Sequence, residues 1–272
     1  MNSIEFVESK CIICSGFAFK SKSIPPPPRK NLDNFYNLFV CTKCGLEFID
    51  PMPSESVLSE FYRDYNDIRA GREIQEHNAL RNIKQMNLYG VKYADKVLDF
   101  GSGNNVFVET ARQECSKLNQ ICNWTSYDKF THRNSQNILS IESGYYSAIT
   151  LWGVIEHVQD PLETLKSLSK LLKPNGLFFI TTVDRESIIP YRYKPPEHLT
   201  YYTKASIEAA CSQINHKLLE FKPYKMIQNR DVYMNIILRT VPDKYKVLVQ
   251  YYELPNKVEI PTNEAMIIMQ AI

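Results

Sequence analysis

The stretch Val97 to Val108, read Val-Leu-Asp-Phe-Gly-Ser-Gly-Asn-Asn-Val-Phe-Val, limits what this chain can fold into more than any other. A short apolar run, Val97 and Leu98, ends in an acid, Asp99; Gly101 and Gly103 follow, flanking Ser102, and a helical pattern begins. That order describes a buried strand turning sharply into a helix over a bound, nucleotide-like ligand. Glycine carries no Cβ, so the backbone at the turn can approach the ligand closely. Asp99, at the strand end, can accept hydrogen bonds from hydroxyls or an ammonium group. A Gly-x-Gly turn is common, so its meaning rests on what surrounds it.

From Lys96 onward, strand-like runs alternate with amphipathic stretches, the pattern of a parallel sheet covered by helices on both faces. Strands are expected at 97–100, 122–127, 137–141, 148–152 and 177–183, with a first helix at 104–116. Asp160 caps a further helix, with Pro161 in its first turn and Glu163 three residues after the cap; Pro174-Asn175-Gly176 is the expected stop. Another helix is expected at 203–214 and two last strands at 217–221 and 233–240, with 222–232 closing a hairpin between them. The tail beyond Val241 holds Tyr251, Tyr252 and the apolar run Ala265 to Ile268, and reads as a dimer contact or a helix at the domain edge.

Upstream lie two C-x-x-C pairs, Cys11/Cys14 and Cys41/Cys44, the second followed by Gly45. Each pair is a knuckle that brings two thiolates to one tetrahedral ion, and two knuckles fill its four positions. The expected ion is Zn2+, structural because no position stays open for chemistry. A unit this small cannot bury enough surface to hold itself together, and the metal supplies the missing free energy. Pro25 to Pro28 between the knuckles favours a stiff extended spacer. Residues 51–90 look helical: Ser54 can cap a helix with Val57, Leu58, Phe61 and Tyr62 on one face, and Ile74, Leu80, Ile83 and Leu88 mark a second. Tyr62, Tyr65 and Tyr89 are either a lid over a ligand or aromatics that pack two units together.

A formal net charge of +2 argues against a dedicated nucleic-acid surface, which shows a basic excess. Lys20, Lys22, Arg29 and Lys30 form only a modest cluster. Residues 1–10 carry acids and no apolar core, unlike a secretory signal, and no apolar run reaches membrane-spanning length. A cytoplasmic, reducing compartment is expected, where seven cysteines point to metal or free thiols before disulfides.

Polar groups stand at three expected strand ends: Asp99, Asp128 and Glu142. In an open α/β sheet, ligands bind at the carboxyl ends of the strands, and an acid after the second strand suits a ribose diol. Together with Gly101 and Gly103 these acids indicate a ribose-bearing cofactor. NAD requires a third glycine where Val106 stands.

At this point the sequence resembles a known family. Val-Leu-Asp-Phe-Gly-Ser-Gly is similar to the first motif of class I S-adenosylmethionine (SAM) methyltransferases. The run from Ala148 through Trp152 and Glu156-His157 to Pro161, with Leu-Lys-Pro-Asn-Gly176 after it, is similar to their fourth-strand block. The paired knuckles, Cys-Gly-Leu-Glu-Phe, Pro-x-Pro and Phe61-Tyr62 resemble the zinc-ribbon front end of a subgroup that methylates sugars, often nucleotide-linked, and related small molecules of natural-product and surface-polysaccharide pathways. Pro196-Glu197-His198-Leu199 with Tyr201-Tyr202-Thr203 is similar to its active-site loop. Asn105 and Ser147 depart from the family pattern, where a glycine and an acid are usual.

The resemblance implies an α/β, Rossmann-like seven-stranded methyltransferase sheet with a small N-terminal zinc ribbon. It implies a zinc-binding ribbon over 1–50, a helical linker or lid over 51–90, a SAM-binding methyltransferase domain over 91–240 and a C-terminal extension over 241–272. Asp99, Gly101, Ser102 and Gly103 would line the methionine part of SAM, and Asp128 would hold the ribose. Glu142 would stand at the cofactor edge, Trp152 along the adenine or sulfonium side, and Tyr65 would close over the amino-acid end. His198, with Glu197 beside it, would face a small-molecule acceptor such as a sugar or phosphorylated metabolite. Methyl transfer is an in-line displacement, so alignment supplies much of the rate, and a hydroxyl acceptor needs its proton taken. Histidine, unperturbed near pKa 6.5, suits that task. His198 is the expected base and His157 its rival, with local hydrogen bonding the other reading of His157. Alternatives are an RNA or protein methyltransferase using the ribbon as its binding module, a C-methyltransferase on a keto-sugar, and a non-enzymatic scaffold. Oligomeric state and acceptor identity stay open.

Overall fold

The computed structural model describes residues 8–25, 35–63, 71–129, 142–189, 193–240, 242–244, 246 and 254–272. The expected third strand (137–141), Tyr65 and most of the Pro25–Pro28 spacer lie outside them.

The main sheet is built on β5 (Val97–Phe100), β6 (Trp124–Tyr127), β7 (Tyr146–Trp152) and β8 (Leu172–Val183), which run parallel, with β5 central between β6 and β7. Two long antiparallel strands, β10 (His216–Asn229) and β11 (Lys257–Ala271), complete it in the order β10-β11-β8-β7-β5-β6. This mostly parallel α/β sheet fits the Rossmann-like arrangement expected, with six strands among the described residues. Successive strand residues face opposite ways. Leu98, Ile149, Phe178, Ile180 and Ile267 pack with α4 (Pro161–Ser169) and α5 (Lys204–Gln213). Val97, Ala148, Phe179 and Ile268 pack with α2 (Arg72–Leu88) and α3 (Val106–Lys117). Asp160 caps α4 by accepting from the Glu163 amide (2.9 Å).

A second sheet holds the knuckles: β1 (Glu8–Lys10), β2 (Phe17–Ile24), β3 (Tyr36–Cys41) and β4 (Glu47–Ile49). Its fifth strand, β9 (Thr200–Tyr201), comes from far along the chain and pairs antiparallel with β4, Glu47 against Tyr201 and Phe48 against Thr200. The core is continuous across the two sheets: Cys11, Cys44, Leu46 and Phe48 belong to the same buried cluster as Tyr202, Ile207 and Ile180. A short helix α1 (Glu55–Arg63) buries Leu58 and Phe61.

Four expectations are corrected. Residues 233–240 are not a strand: they belong to helix α6 (Arg230–Thr240), inserted between β10 and β11. The tail is not an extension, since β11 sits inside the sheet between β10 and β8. A strand buried on both faces reads as one apolar run, as a buried helix does, so Ala265 to Ile268 was ambiguous. Pro174-Asn175-Gly176 does not stop a helix; the segment bulges from β8 between Leu172 and Leu177, which pair with Tyr146 and Ala148. In α2, Leu88 points out (80% exposed) and the inward stripe is Ile74, Ala79, Ile83 and Met86.

Asn78 of α2 ties the helix to the β10–β11 arm. Its amide donates to the Ile227 carbonyl (3.0 Å) and its oxygen accepts from the Ile227 amide (2.6 Å). Removing a half-buried partner leaves both backbone groups unmet, so Asn78→Ala should cost about 1–2 kcal/mol. The expected result is a lower urea midpoint with an unchanged slope; an unchanged midpoint means that the arm does not depend on this link.

Candidate functional site

The turn after β5 is fastened to the end of β6. The Gly101 and Ser102 amides donate to the Tyr127 carbonyl (2.8 and 3.1 Å), and the Gly103 amide donates to Asp128 Oδ2 (2.8 Å). Gly101 has φ +76°, and a Cβ there would stand 2.6 Å from Val154 Cγ2, so the residue must be glycine twice over. Asn105 starts α3 in the left-handed region at φ 66°. Phe100 and Tyr127 stack beside the turn, centroids 5.4 Å apart. Asp99, Gly101, Ser102, Gly103 and Asp128 are thus brought to one sheet edge.

Asp99 is buried (2% exposed) and accepts from the Thr150 hydroxyl (2.7 Å). Burial pushes its carboxyl up to about 7; the Thr150 hydrogen bond opposes that and the charge of Asp128 adds to it. Trp152, at the end of β7, lies edge-on to Phe107 at 5.4 Å. Two buried atoms at this edge, Trp152 Nε1 and Asn105 Oδ1, make no hydrogen bond among the described residues. Buried donors and acceptors are nearly always satisfied, so a polar ligand here fits the chemistry present.

Glu142 does not join them. It is exposed and leads into β7; two residues on, the Gly144 amide donates to the Lys170 carbonyl, where β8 is about to start. A parallel strand starts at the edge opposite the one where it ends, so Glu142 stands near the wrong side of the sheet for the cofactor. Tyr89 donates to Glu220 (2.7 Å) and packs edge-on to Phe179, the packing role and not the lid.

A second group forms where β7 and β8 end. The 3-10 turn Ile155–His157 follows β7, and the segment after β8 returns with Glu197 and His198. The His157 and His198 rings meet edge-to-face, centroids 4.9 Å apart. His157 Nδ1 lies 2.6 Å from the Glu197 carbonyl and 3.0 Å from the Tyr62 hydroxyl. A carbonyl only accepts, so Nδ1 is the donor in this contact. The His157 Nε2 is 3.9 Å from Glu156 Oε1. Glu156 is buried and accepts from the Thr182 hydroxyl (2.9 Å). His198 is buried too (6% exposed), with its Nε2 3.7 Å from Glu197 Oε1. The donor turn and this cluster touch through Val154, which packs on Gly101 and directly precedes the 155–157 turn.

The knuckles converge as their spacing requires. Sγ atoms of Cys11 and Cys44 are 3.6 Å apart, those of Cys14 and Cys41 3.5 Å, and all four lie within 4.8 Å of one another. The amides of Lys43 and Cys44 point at Cys41 Sγ (3.4 and 3.5 Å). A hydrogen bond from Cys44 holds the Cys11 thiol down to about 5, while Cys44 itself is pushed up. Thiols this close share protons unless a dication takes their place, which is the donor set a zinc ion needs.

Sequence reasoning missed Glu156, Thr150 and Thr182; Tyr62, a lid candidate, lies against His157. Glu156 stands beside His157 in the quoted fourth-strand block, so the signal was present; the threonines inside strands gave none.

Residues 70–220, more than half of the chain, match the family model described as a methyltransferase domain. A ubiquinone biosynthesis O-methyltransferase of Haemophilus ducreyi is 27% identical over 187 residues, covering 53% of this chain and 78% of that relative. One of Yersinia enterocolitica is 24% identical over 125 residues, covering 40% of this chain and 51% of the relative, so the chain spans only about half of it. Among solved structures, Burkholderia thailandensis 1,6-didemethyltoxoflavin-N1-methyltransferase, with bound 1,6-didemethyltoxoflavin and S-adenosylhomocysteine, is 12% identical with a TM-score of 0.49, covering 91% of this chain and 99% of that one. A SAM-dependent methyltransferase from Archaeoglobus fulgidus is 13% identical with a TM-score of 0.46, covering 80% and 100%. With the glycine turn, the parallel sheet and the family match in agreement, the chain belongs to the methyltransferase-domain family and is a class I SAM-dependent methyltransferase.

Proposed function

We propose that this enzyme methylates a hydroxyl of a small molecule, a sugar, nucleotide-linked sugar or related phosphorylated metabolite, with His198 as the base. The observation that carries this reading is the buried cluster of His198, His157, Glu156 and Glu197, packed through Val154 against the glycine turn. The names of the O-methyltransferase relatives support an oxygen acceptor. The sugar class rests on the resemblance of the paired knuckles and the Pro196-Glu197-His198-Leu199 loop to the sugar-methylating subgroup. No helix among the described residues is long and apolar enough to cross a membrane. Four thiolates on one zinc ion suit a reducing, cytoplasmic compartment.

SAM supplies an electrophilic methyl group on a sulfonium. Asp128 accepts from the ribose hydroxyls, and the turn amides of 101–103 bring the backbone against the ligand. Asp99 would face the cationic methionine part, and Trp152 would offer its indole N–H and ring along the adenine or sulfonium side. His198 takes the hydroxyl proton as the acceptor oxygen attacks, with Glu197 beside it to stabilise the imidazolium. His157 is a positioning residue: its Nδ1–H holds the Glu197 carbonyl and so fixes the peptide next to His198.

His198→Ala should slow transfer of labelled methyl to a panel of hydroxyl acceptors by about 10²–10⁴-fold. S-adenosylhomocysteine affinity, read by calorimetry, should be unchanged; unchanged turnover excludes His198 as the base.

Asp99 also predicts a pH effect. Its folded pKa, about 7, lies above the ordinary 3.8, so the stability it contributes is present at low pH and lost as pH rises through about 7. A cationic ligand favours the carboxylate, so binding must expel the proton below that pH. SAM affinity should therefore rise from about pH 6 to about pH 8 and then level, with proton release on binding. Asp99→Asn should flatten the profile; a slope that survives in Asp99→Asn assigns it to another group.

A further inference from the structure

We propose that the zinc ribbon is the platform that positions the His198 segment, with Glu47 and Thr203 as the positioning residues. The proposal rests on the reading that His198 serves the acceptor. Leu199, the residue after His198, is held from two sides. Its carbonyl accepts from the Ile49 amide at the end of β4 (3.0 Å), and its amide donates to the Glu156 carbonyl (2.7 Å). One residue thus links the ribbon and the turn that carries His157, so the place of His198 relative to His157 depends on where β4 lies.

Further links make β4 and its knuckle the carrier. β9 begins two residues after His198 and pairs with β4, and Tyr202 just beyond it bridges to Asp184 at the end of β8. The Thr203 hydroxyl donates to the carbonyl of Cys44, itself one of the four knuckle thiols, at 2.6 Å. Gly45, at φ +72°, packs against Thr203; a Cβ there would stand 3.1 Å from the Thr203 methyl. Glu47, 3% exposed, holds both ends of the returning segment: it accepts from the Tyr193 hydroxyl (2.7 Å) and faces Arg185 Nε (3.3 Å). Leu199 and Tyr201 are fully buried with Leu38 and Ile49 of the ribbon, so the segment cannot shift without the ribbon shifting.

The donor half shares the buried core with the ribbon, but among the described residues no hydrogen bond ties its glycine turn to it. The glycine turn is fastened to β6, Asp128 and Val154, none of which belongs to the ribbon. Loss of the ion should therefore loosen the His198 segment while the cofactor side stays ordered.

The test compares the full chain with zinc bound and after chelation, by amide hydrogen exchange and by calorimetric titration with S-adenosylhomocysteine. Chelation should speed exchange across 198–203 at least about tenfold, leave 97–108 protected, and change S-adenosylhomocysteine affinity less than about threefold. Glu47→Ala, with zinc still bound at one ion per chain, should loosen 198–203 in the same way, and Glu47→Gln, which still accepts from Tyr193, should restore most of the protection. In transfer assays Glu47→Ala should lower kcat while KM for SAM holds. Unchanged exchange across 198–203 in either the chelated protein or Glu47→Ala overturns the proposal. So does loss of protection at 97–108 on chelation, which makes zinc a requirement of the whole fold. Exchange and affinity use neither acceptor nor turnover, so they stand even if His198→Ala shows that His198 is not the base.

Discussion

Parallel strands all end at the same edge, and the whole site depends on that constraint. β5, β6, β7 and β8 each release their chain on one side of the sheet: the glycine turn, Asp128, the 155–157 turn and the returning His198 segment. Residues remote in sequence need no further device to meet there. Val154 makes the contact between the two halves, filling the space that a side chain at Gly101 would take. The same rule removes Glu142, which leads into a strand start and so stands near the other edge.

Several buried polar groups of the sheet are paired. Thr150 on β7 donates to Asp99 on β5 because the strands pair with those two residues opposite each other. Thr182 on β8 donates to Glu156, and Tyr224 on β10 donates to Asn82 on α2. A buried carboxylate with few donors is expensive to ionise, so Asp99 titrates near neutrality.

Local signals were legible. The Gly101/Gly103 turn, the Asp160 cap, the four knuckle thiols and the Thr203–Ile214 helix each depend on residues close in sequence, and the structure holds them where the pattern put them. The failures share a cause. The stretch 233–240 is rich in residues that favour strands, yet it lies in α6, and the apolar run near 267 belongs to an interior strand. For such short apolar runs, local preference does not distinguish helix from strand; the neighbours decide. The same holds for the ribbon, which by composition reads as a separate unit over 1–50 and in three dimensions shares one core with the larger sheet.

By itself the sequence determined the chemistry: which residues can grip a ribose, take a proton or bind a soft ion, and which turns must contain glycine. Those properties belong to side chains and to short stretches of backbone, so spacing reveals them. Only the tertiary structure decided which of these groups meet. It set Glu142 apart, brought Tyr62 and Glu156 to His157, and laid β9 on the ribbon so that a strand from residue 200 completes a sheet begun at residue 8. The reason is physical: pairing and burial act through space, between surfaces that no local pattern records.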